Sequence, residues 1–324
     1  MIGFRRLTAA IAGAGLAAAL LAGCGTAAAG GGPPATLTVA FVVDPSWAQV
    51  PVAQNAGYFR QHGVVVHVVD FSTGVQALQA LEGGQADIAT GADVPAASAL
   101  ARDPSLRVIA DGSRWYGSRI VARRSSGVTS LSGLSGKIIG TPLGTSADYF
   151  AQTVLGKSSL TAKTVNVDPS AMLTAIKAGN VAAVAVFQPY QEQVEETLGP
   201  DAVVLNSPGA YVQHSLYLAS SSTLKTKAKA ISAFFGALGV ASKDLSGRRP
   251  AAVTAVAAAT KLPSSLLQRV LPQFNYSLQL NPGLAGQLTG LARWEQAHGY
   301  LGSASPAADY GKLLDPVALA PAQS

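Results

Sequence analysis

Cysteine is almost missing from this chain of 324 residues. A single residue, Cys24, stands near the start, so no disulfide can form within the chain. Charge is scarce too: 12% of the residues are Asp, Glu, Lys or Arg, and no basic run exceeds two residues. A nucleic-acid binder gathers positive charge into a patch. The formal net charge of +6 therefore reads as a weakly basic surface, and no nucleic-acid partner is expected. The histidines His62, His67, His214 and His298 are scattered with no pair at metal spacing, so no metal site is expected. Gly-x-Ser-x-Gly, His-Glu-x-x-His and the phosphate-loop pattern are all absent. Neither a cofactor nor a catalytic residue is indicated. Aromatics are only 6% of the chain, so Ala and Val must fill much of any core.

Apolar residues are plentiful, at 48%, and the length suffices for two domains. Arg5 and Arg6 form a positive n-region, followed by an apolar stretch from Leu7 to Leu21. That stretch is short for a membrane span, which needs about 20 residues, and it ends in small residues suited to a signal peptidase. The sequence Leu21-Ala-Gly-Cys24 resembles the bacterial lipobox, which implies lipidation of Cys24. Residues 1–23 are expected to be a signal peptide, and residues 24–35 a lipidated cysteine on a Gly/Ala tether ending in a Pro pair. The mature protein is then expected to be exported and held by lipid at the outer face of the cytoplasmic membrane.

From Thr36 onward, short apolar runs alternate with helical stripes. Strands are expected at Leu37–Val43, Val64–Phe71 and Ala86–Thr90, with helices at Pro51–Gln61 and around Val75, Leu78 and Leu81. A loop is expected from Gly91 to Pro95. The pattern restarts with a strand at Lys137–Gly140, the turn Gly144-Thr-Ser146 and a helix through Tyr149, Phe150 and Val154. Asp168-Pro169 opens a helix that Gly179 stops before a strand at Val181–Phe187. Segments Leu78–Pro95 and Leu173–Pro189 share this order of helix, glycine, strand and proline. Helices are then expected at Leu224–Leu245, Pro250–Thr260, Leu266–Leu271 and Leu284–His298. Strand and helix in alternation predict an α/β fold with two lobes, each a mixed, mostly parallel sheet with helices on both faces. Ligands sit off the carboxyl ends of such strands, which directs attention to the loops Asp44–Trp47, Ser72–Gly74, Gly91–Pro95, Gly144–Ser146 and Phe187–Pro189.

Four stretches in order carry a family likeness: Ala56-Gly-Tyr-Phe-Arg-Gln-His-Gly63, Leu81-Glu-Gly-Gly-Gln-Ala-Asp-Ile-Ala89, Leu131-Ser-Gly-Leu-Ser-Gly-Lys-Ile-Ile-Gly140, and Ala178-Gly-Asn with Phe187-Gln-Pro189. With them the chain resembles the substrate-binding proteins of taurine, aliphatic sulfonate and nitrate importers. The resemblance runs from about Leu37 to Leu314 and implies the type II periplasmic-binding-protein fold. It implies a discontinuous first lobe (36–116 and 220–324) and a second lobe (117–219), with hinges near Gly117–Arg123 and Tyr211–Ala219. It also implies a monomer whose partners are a small polar solute, an ABC permease and its ATPase.

Several residues are candidates for the solute. Gly144, Thr145 and Ser146 precede a helix whose N–H groups could hold an anion, or they simply cap it. Asp93 stands where relatives of the resembled family place a hydroxyl. It would repel a sulfonate, accept an amine, or cap a helix. Arg119 could pair with Asp93 or bind an acid. Ser46, Trp47, Thr73, Gly91, Ser118, Phe187, Gln188 and His214 complete the expected site. A non-enzymatic binding protein is the leading reading. A pyrimidine-precursor-type binding or synthase protein on the same fold, or a surface sensor lipoprotein, remain alternatives.

Overall fold

A computed structural model describes residues 35–207, 209–307, 309–316 and 319. The expected signal peptide, Cys24 and nearly all of the tether lie outside the described residues. The chain first lays down β1 (Ala35–Val42), α1 (Gln49–Asn55), α2 (Tyr58–Gln61), β2 (Val64–Phe71), α3 (Gly74–Glu82), β3 (Ile88–Ala92), α4 (Asp93–Arg102) and β4 (Leu106–Trp115). It then crosses to a second set: β5 (Arg119–Arg123), β6 (Ile138–Thr141), α5 (Ser146–Lys157), β7 (Lys163–Asn166), α6 (Met172–Lys177), β8 (Ala183–Ala185), α7 (Tyr190–Leu198) and β9 (Ala202–Asn206). It returns through β10 (Gln213–Ser220), α8 (Ser221–Thr226), α9 (Ala228–Ser246), α10 (Pro250–Thr260), α11 (Ser264–Val270), β11 (Phe274–Asn275) and α12 (Leu284–Ala297).

Two sheets result, one in the order β11-β4-β10-β3-β1-β2 and the other β7-β6-β8-β5-β9. Both are mixed. β1 is parallel to β2 and β3, and β6 is parallel to β7 and β8, because helices carry the chain back between these strands. Antiparallel pairing enters with β4, β5, β9 and β10, the strands that flank the two passages between sheets, and with the short β11. β10 belongs wholly to the first sheet, although the sequence reading assigned residues up to 219 to the second lobe. Its register with β3 and β4 fixes it there.

The cores follow from side-chain alternation. β1 buries Leu37, Val39, Ala40, Phe41 and Val42 in a near-continuous run, as a strand covered on both faces must. α9 lays Phe234 against Phe59 at 5.3 Å between ring centroids, joining α2 to this core. In the second sheet, Ile120 and Ala122 of β5 face Phe150 and Val154 of α5, while Val121 faces Met172, Ile176 and Val194 of α6 and α7.

Several boundaries differ from expectation for local reasons. The helix expected over Pro51–Gln61 breaks in two at Gly57, whose φ of 73° ends one turn and starts the next. The expected loop Gly91–Pro95 does not exist. β3 runs to Ala92 and α4 begins at Asp93, so the backbone turns within one residue. β4, β7 and β9 had no counterpart in the sequence reading. In β4, Arg107, Asp111 and Arg114 interrupt the apolar run that would have marked it.

Candidate functional site

Two passages join the lobes, residues 116–118 between β4 and β5 and a second stretch, which includes Tyr211, between β9 and β10. At the first, a Cβ on Gly117 would meet the Trp115 Nε1 at 2.5 Å, so only glycine lets the chain pass the indole. Gln191 of α7 holds this passage from the second lobe: its Nε2 donates to the Gly117 carbonyl at 3.1 Å and its Oε1 accepts the Arg119 N–H at 3.2 Å.

Between the lobes, at the strand ends, lies a small cavity of about 20 Å³, room for about one water. Val42, Asp44, Trp47, Gly74, Ala92, Pro95 and Gln213 line it from the first sheet's side. Thr145, Ser146 and Phe187 line it from the second. A further space of about 180 Å³ lies along the same interface, between Val43, Asp70, Phe71 and Ser72 on one side and Pro189 and Tyr190 on the other. Larger grooves exist, one of about 470 Å³ between the ends of α9, α10 and α11, but that groove belongs to one lobe.

Each lining side chain is placed by its local structure. Asp44 precedes Pro45 in a 3-10 turn, and its Oδ1 accepts the Ser46 N–H at 2.6 Å. Its side chain is 4% exposed, and burial pushes the carboxyl up to about 7 against the Ser46 hydrogen bonds. Trp47 donates its Nε1 to the Leu216 carbonyl at 3.2 Å, which fixes the indole as a wall. Gly144, with φ of 70°, turns the chain into α5. Thr145 occupies the N-cap, yet its hydroxyl donates to the Pro142 carbonyl at 2.6 Å instead of capping the helix. The N-terminal end of α5, the positive end of its dipole, thus abuts the cavity.

Behind the cavity lies a polar hub. Asp93 is fully buried and accepts from Tyr211 Oη and from Val94 N at Oδ1, and from Gln287 Nε2 at 2.6 Å and His214 N at 3.4 Å at Oδ2. Burial pushes its carboxyl up to about 6, opposed by the charge of His214 and these hydrogen bonds. His214 Nδ1 pairs with Asp111 Oδ2 at 2.8 Å, and Arg114 joins the same oxygen at 3.4 Å. Burial pulls the imidazole down, but Asp111 and Asp93 outweigh it and leave it raised.

Contacts across the interface hold the lobes together. Tyr300 Oη donates to Asp148 Oδ2 at 2.6 Å, and Trp294 meets Tyr149 edge-on at 5.2 Å. Gln188 Nε2 donates to Gln273 Oε1 at 3.1 Å. Arg269 pairs with Glu192 at 3.5 Å and with Glu196.

Of the residues singled out from sequence, Trp47, Thr145, Ser146 and Phe187 meet at the cavity. Ser46 sits one step behind, its hydroxyl accepting from Gln213 at 3.4 Å. Gly144 forms the turn beside it and donates its N–H to Asp148 at 3.1 Å. The others serve the frame. Thr73 caps α3 by accepting the Gln76 N–H, and Gly91 makes room for Leu78, whose Cδ1 a Cβ would meet at 2.6 Å. Ser118 lies half-buried in the first passage, Gln188 spans the lobes, and His214 and Asp93 belong to the hub. Arg119 does not pair with Asp93. It binds Glu195 at 2.5 Å and Glu192 at 3.2 Å, because β5 runs beside α7. Sequence reasoning missed Asp44 and Gln213 as lining residues. Asp44 stands in one of the strand-end loops, Asp44–Trp47, and in the structure it also caps the following 3-10 turn.

The described residues therefore form a two-lobed α/β molecule with a cavity at the strand ends, lined by apolar and polar side chains from both lobes, the architecture of the periplasmic-binding-protein fold. Its backbone superimposes on the alkanesulfonate-binding protein SsuA of Xanthomonas axonopodis pv. citri bound to MOPS, with a TM-score of 0.75 at 22% identity over 88% of this chain and 99% of that one. The periplasmic aliphatic sulphonate-binding protein SsuA of Escherichia coli gives 0.72 at 18% identity (84% and 96%). The periplasmic nitrate-binding protein NrtA of Synechocystis PCC 6803 gives 0.70 at 13% (89% and 88%). The family model described as NMT1/THI5 like matches residues 44–252, and the chain belongs to that family. A protein of Brucella abortus (strain 2308) that carries a binding-protein name is 29% identical over 148 residues, 45% of each chain. The chain thus spans about half the length of the curated relatives it matches.

Proposed function

We propose that this chain is the solute-binding component of an ABC importer, capturing a small polar molecule between its lobes and delivering it to the permease. The observation that carries the reading is the cavity at the strand ends, walled by both lobes, which two stretches of chain connect. At about 20 Å³ it is too small for a solute of several heavy atoms, so binding requires the lobes to part and close again. Sulfonates, taurine-like molecules and nitrogen-containing molecules are the candidate solutes. The names of the structural neighbours support the first class.

The reading is of a binding protein rather than an enzyme. The structural neighbours, whose names make them binding proteins for sulfonates and nitrate, support it. Export through residues 1–23, lipidation at Cys24 and a monomeric state complete the proposal. Thermal unfolding of a Cys24-free chain against sulfonates, amino-sulfonates, small nitrogen compounds, sugars and peptides tests it. A solute at 100 times its Kd stabilises by about 2.7 kcal/mol, which shifts the midpoint by several degrees. A shift with sugars or long peptides alone contradicts the reading. Palmitate labelling lost in Cys24→Ala, with release from membranes, checks the anchor.

A further inference from the structure

The interlobe space is acidic, although the chain carries a formal net charge of +6. Among the described residues, neither the small cavity nor the wider space beside it has a lysine, arginine or histidine in its lining. Asp44 lines the first and Asp70 the second. The nearby cations are spent elsewhere. Arg119 is held by Glu192 and Glu195, and Arg114 by Asp111 and the Ser277 carbonyl.

Asp44 differs from a carboxylate that serves structure alone. Its described hydrogen-bond donors belong to one residue, Ser46, whereas Asp93 collects donors from four. The indole of Trp47 and the ring of Phe187 line the cavity with it, so a positive group there would meet aromatic rings as well as a carboxylate. An oxyanion would find the positive end of α5, but also a buried carboxyl and no cationic side chain.

We infer that the solute carries a positively charged nitrogen and that Asp44 is the residue that binds it, with Trp47 and Phe187 as the walls of its subsite. This rests on the solute-binding reading and narrows it from small polar molecules to organic cations, against the oxyanions named for the structural neighbours.

Proton linkage gives the inference a sign. A cation favours the ionised form of Asp44, so binding expels a proton wherever the carboxyl is partly protonated, near pH 7. The other titratable groups that feel Asp44 are Tyr190 of α7 and Tyr276 after β11, and burial raises both. Neither changes charge near neutrality. Affinity for a cation should then rise with pH up to about 7, nearly tenfold per unit below it, and level off above. An oxyanion reverses the sign, because it needs the protonated carboxyl as a donor.

The test is isothermal titration of the Cys24-free chain with ethanolamine, choline and putrescine, and with ethanesulfonate and nitrate, in buffers of different ionisation enthalpy. The expected result is binding of at least one amine with proton release. Asp44→Asn keeps the acceptor for the Ser46 N–H and removes the charge, and it should weaken that amine at least tenfold. Should this variant fail to fold, the wild-type proton count still decides. Binding of an oxyanion with proton uptake, or an amine unaffected by Asp44→Asn, overturns the inference and leaves the solute-binding reading standing. Failure of both classes contradicts the solute-binding reading itself.

Discussion

Two buried aspartates about the same cleft show how differently one residue type can be used. Asp93, at the first turn of α4, is saturated by Tyr211, Val94, Gln287 and His214, donors drawn from α4, α12, β10 and the second passage. It ties together elements far apart in sequence. Asp44, at the end of β1, is served by its neighbour Ser46 and faces the cavity. Burial raises both carboxyls, so the contrast lies in their partners: one is a structural hub, the other keeps acceptor capacity for something that enters.

The largest test of that contrast is Asp93→Ala. It strands four donors in a dry setting and should cost about 3–5 kcal/mol, read as a lower denaturation midpoint. Asp44→Ala loses one turn cap and should cost about 1 kcal/mol. Equal losses would erase the distinction.

A second test uses pH. Asp44, Asp93 and Glu295 have folded-state values pushed up, to about 7, about 6 and about 8, in each case chiefly by burial. A carboxyl raised in the folded state binds its proton more tightly there than when unfolded. Its stabilising contribution is complete below the unfolded value near 4 and is lost as pH climbs through the folded value. His214, also raised, has the same sign. Stability should therefore fall by several kcal/mol between pH 5 and pH 8, about 1.4 kcal/mol for each unit titrated. In Asp44→Asn the fall should be smaller, with a gain over wild type of about 1–2 kcal/mol at pH 8 and little difference at pH 5. A stability that rises over this window contradicts the burial argument.

The smallest expected effect concerns the contacts across the interface. Tyr300→Phe removes the hydrogen bond to Asp148 and should shift the closed-to-open balance by about 1 kcal/mol. Scattering would show a larger radius of gyration with little change in unfolding temperature. A midpoint that falls by many degrees would make Tyr300 part of the core instead.

Much of the frame was legible in the sequence because its signals are local. β2 and α10 fall where apolar runs, Pro250 and turn glycines put them, and α5 follows Gly144-Thr-Ser146. Strand-end position selected Trp47 and Phe187, and the helix start with the family likeness selected Thr145 and Ser146; these four line the interlobe cavity. What escaped depends on long-range pairing. β4 hid because Asp111 and Arg114 are polar, and their burial makes sense only once His214 and Ser277 arrive from distant segments. The pairing of Arg119 with Asp93, one of two roles left open for that arginine, failed for the same reason. Nothing local reveals that α7 will present Glu192 and Glu195 beside β5. Asp44 was not singled out within its loop because nothing local shows which residue of Asp44–Trp47 will face the other lobe.

The most direct measurement is a crystal structure of the chain with the solute that raises its unfolding temperature most. The account predicts that solute enclosed between the lobes, its nitrogen within hydrogen-bonding distance of Asp44 and its body between Trp47, Phe187 and the start of α5. A solute lodged in the first-lobe groove beside Arg248 and Leu267, with the interlobe cavity unchanged, would contradict it.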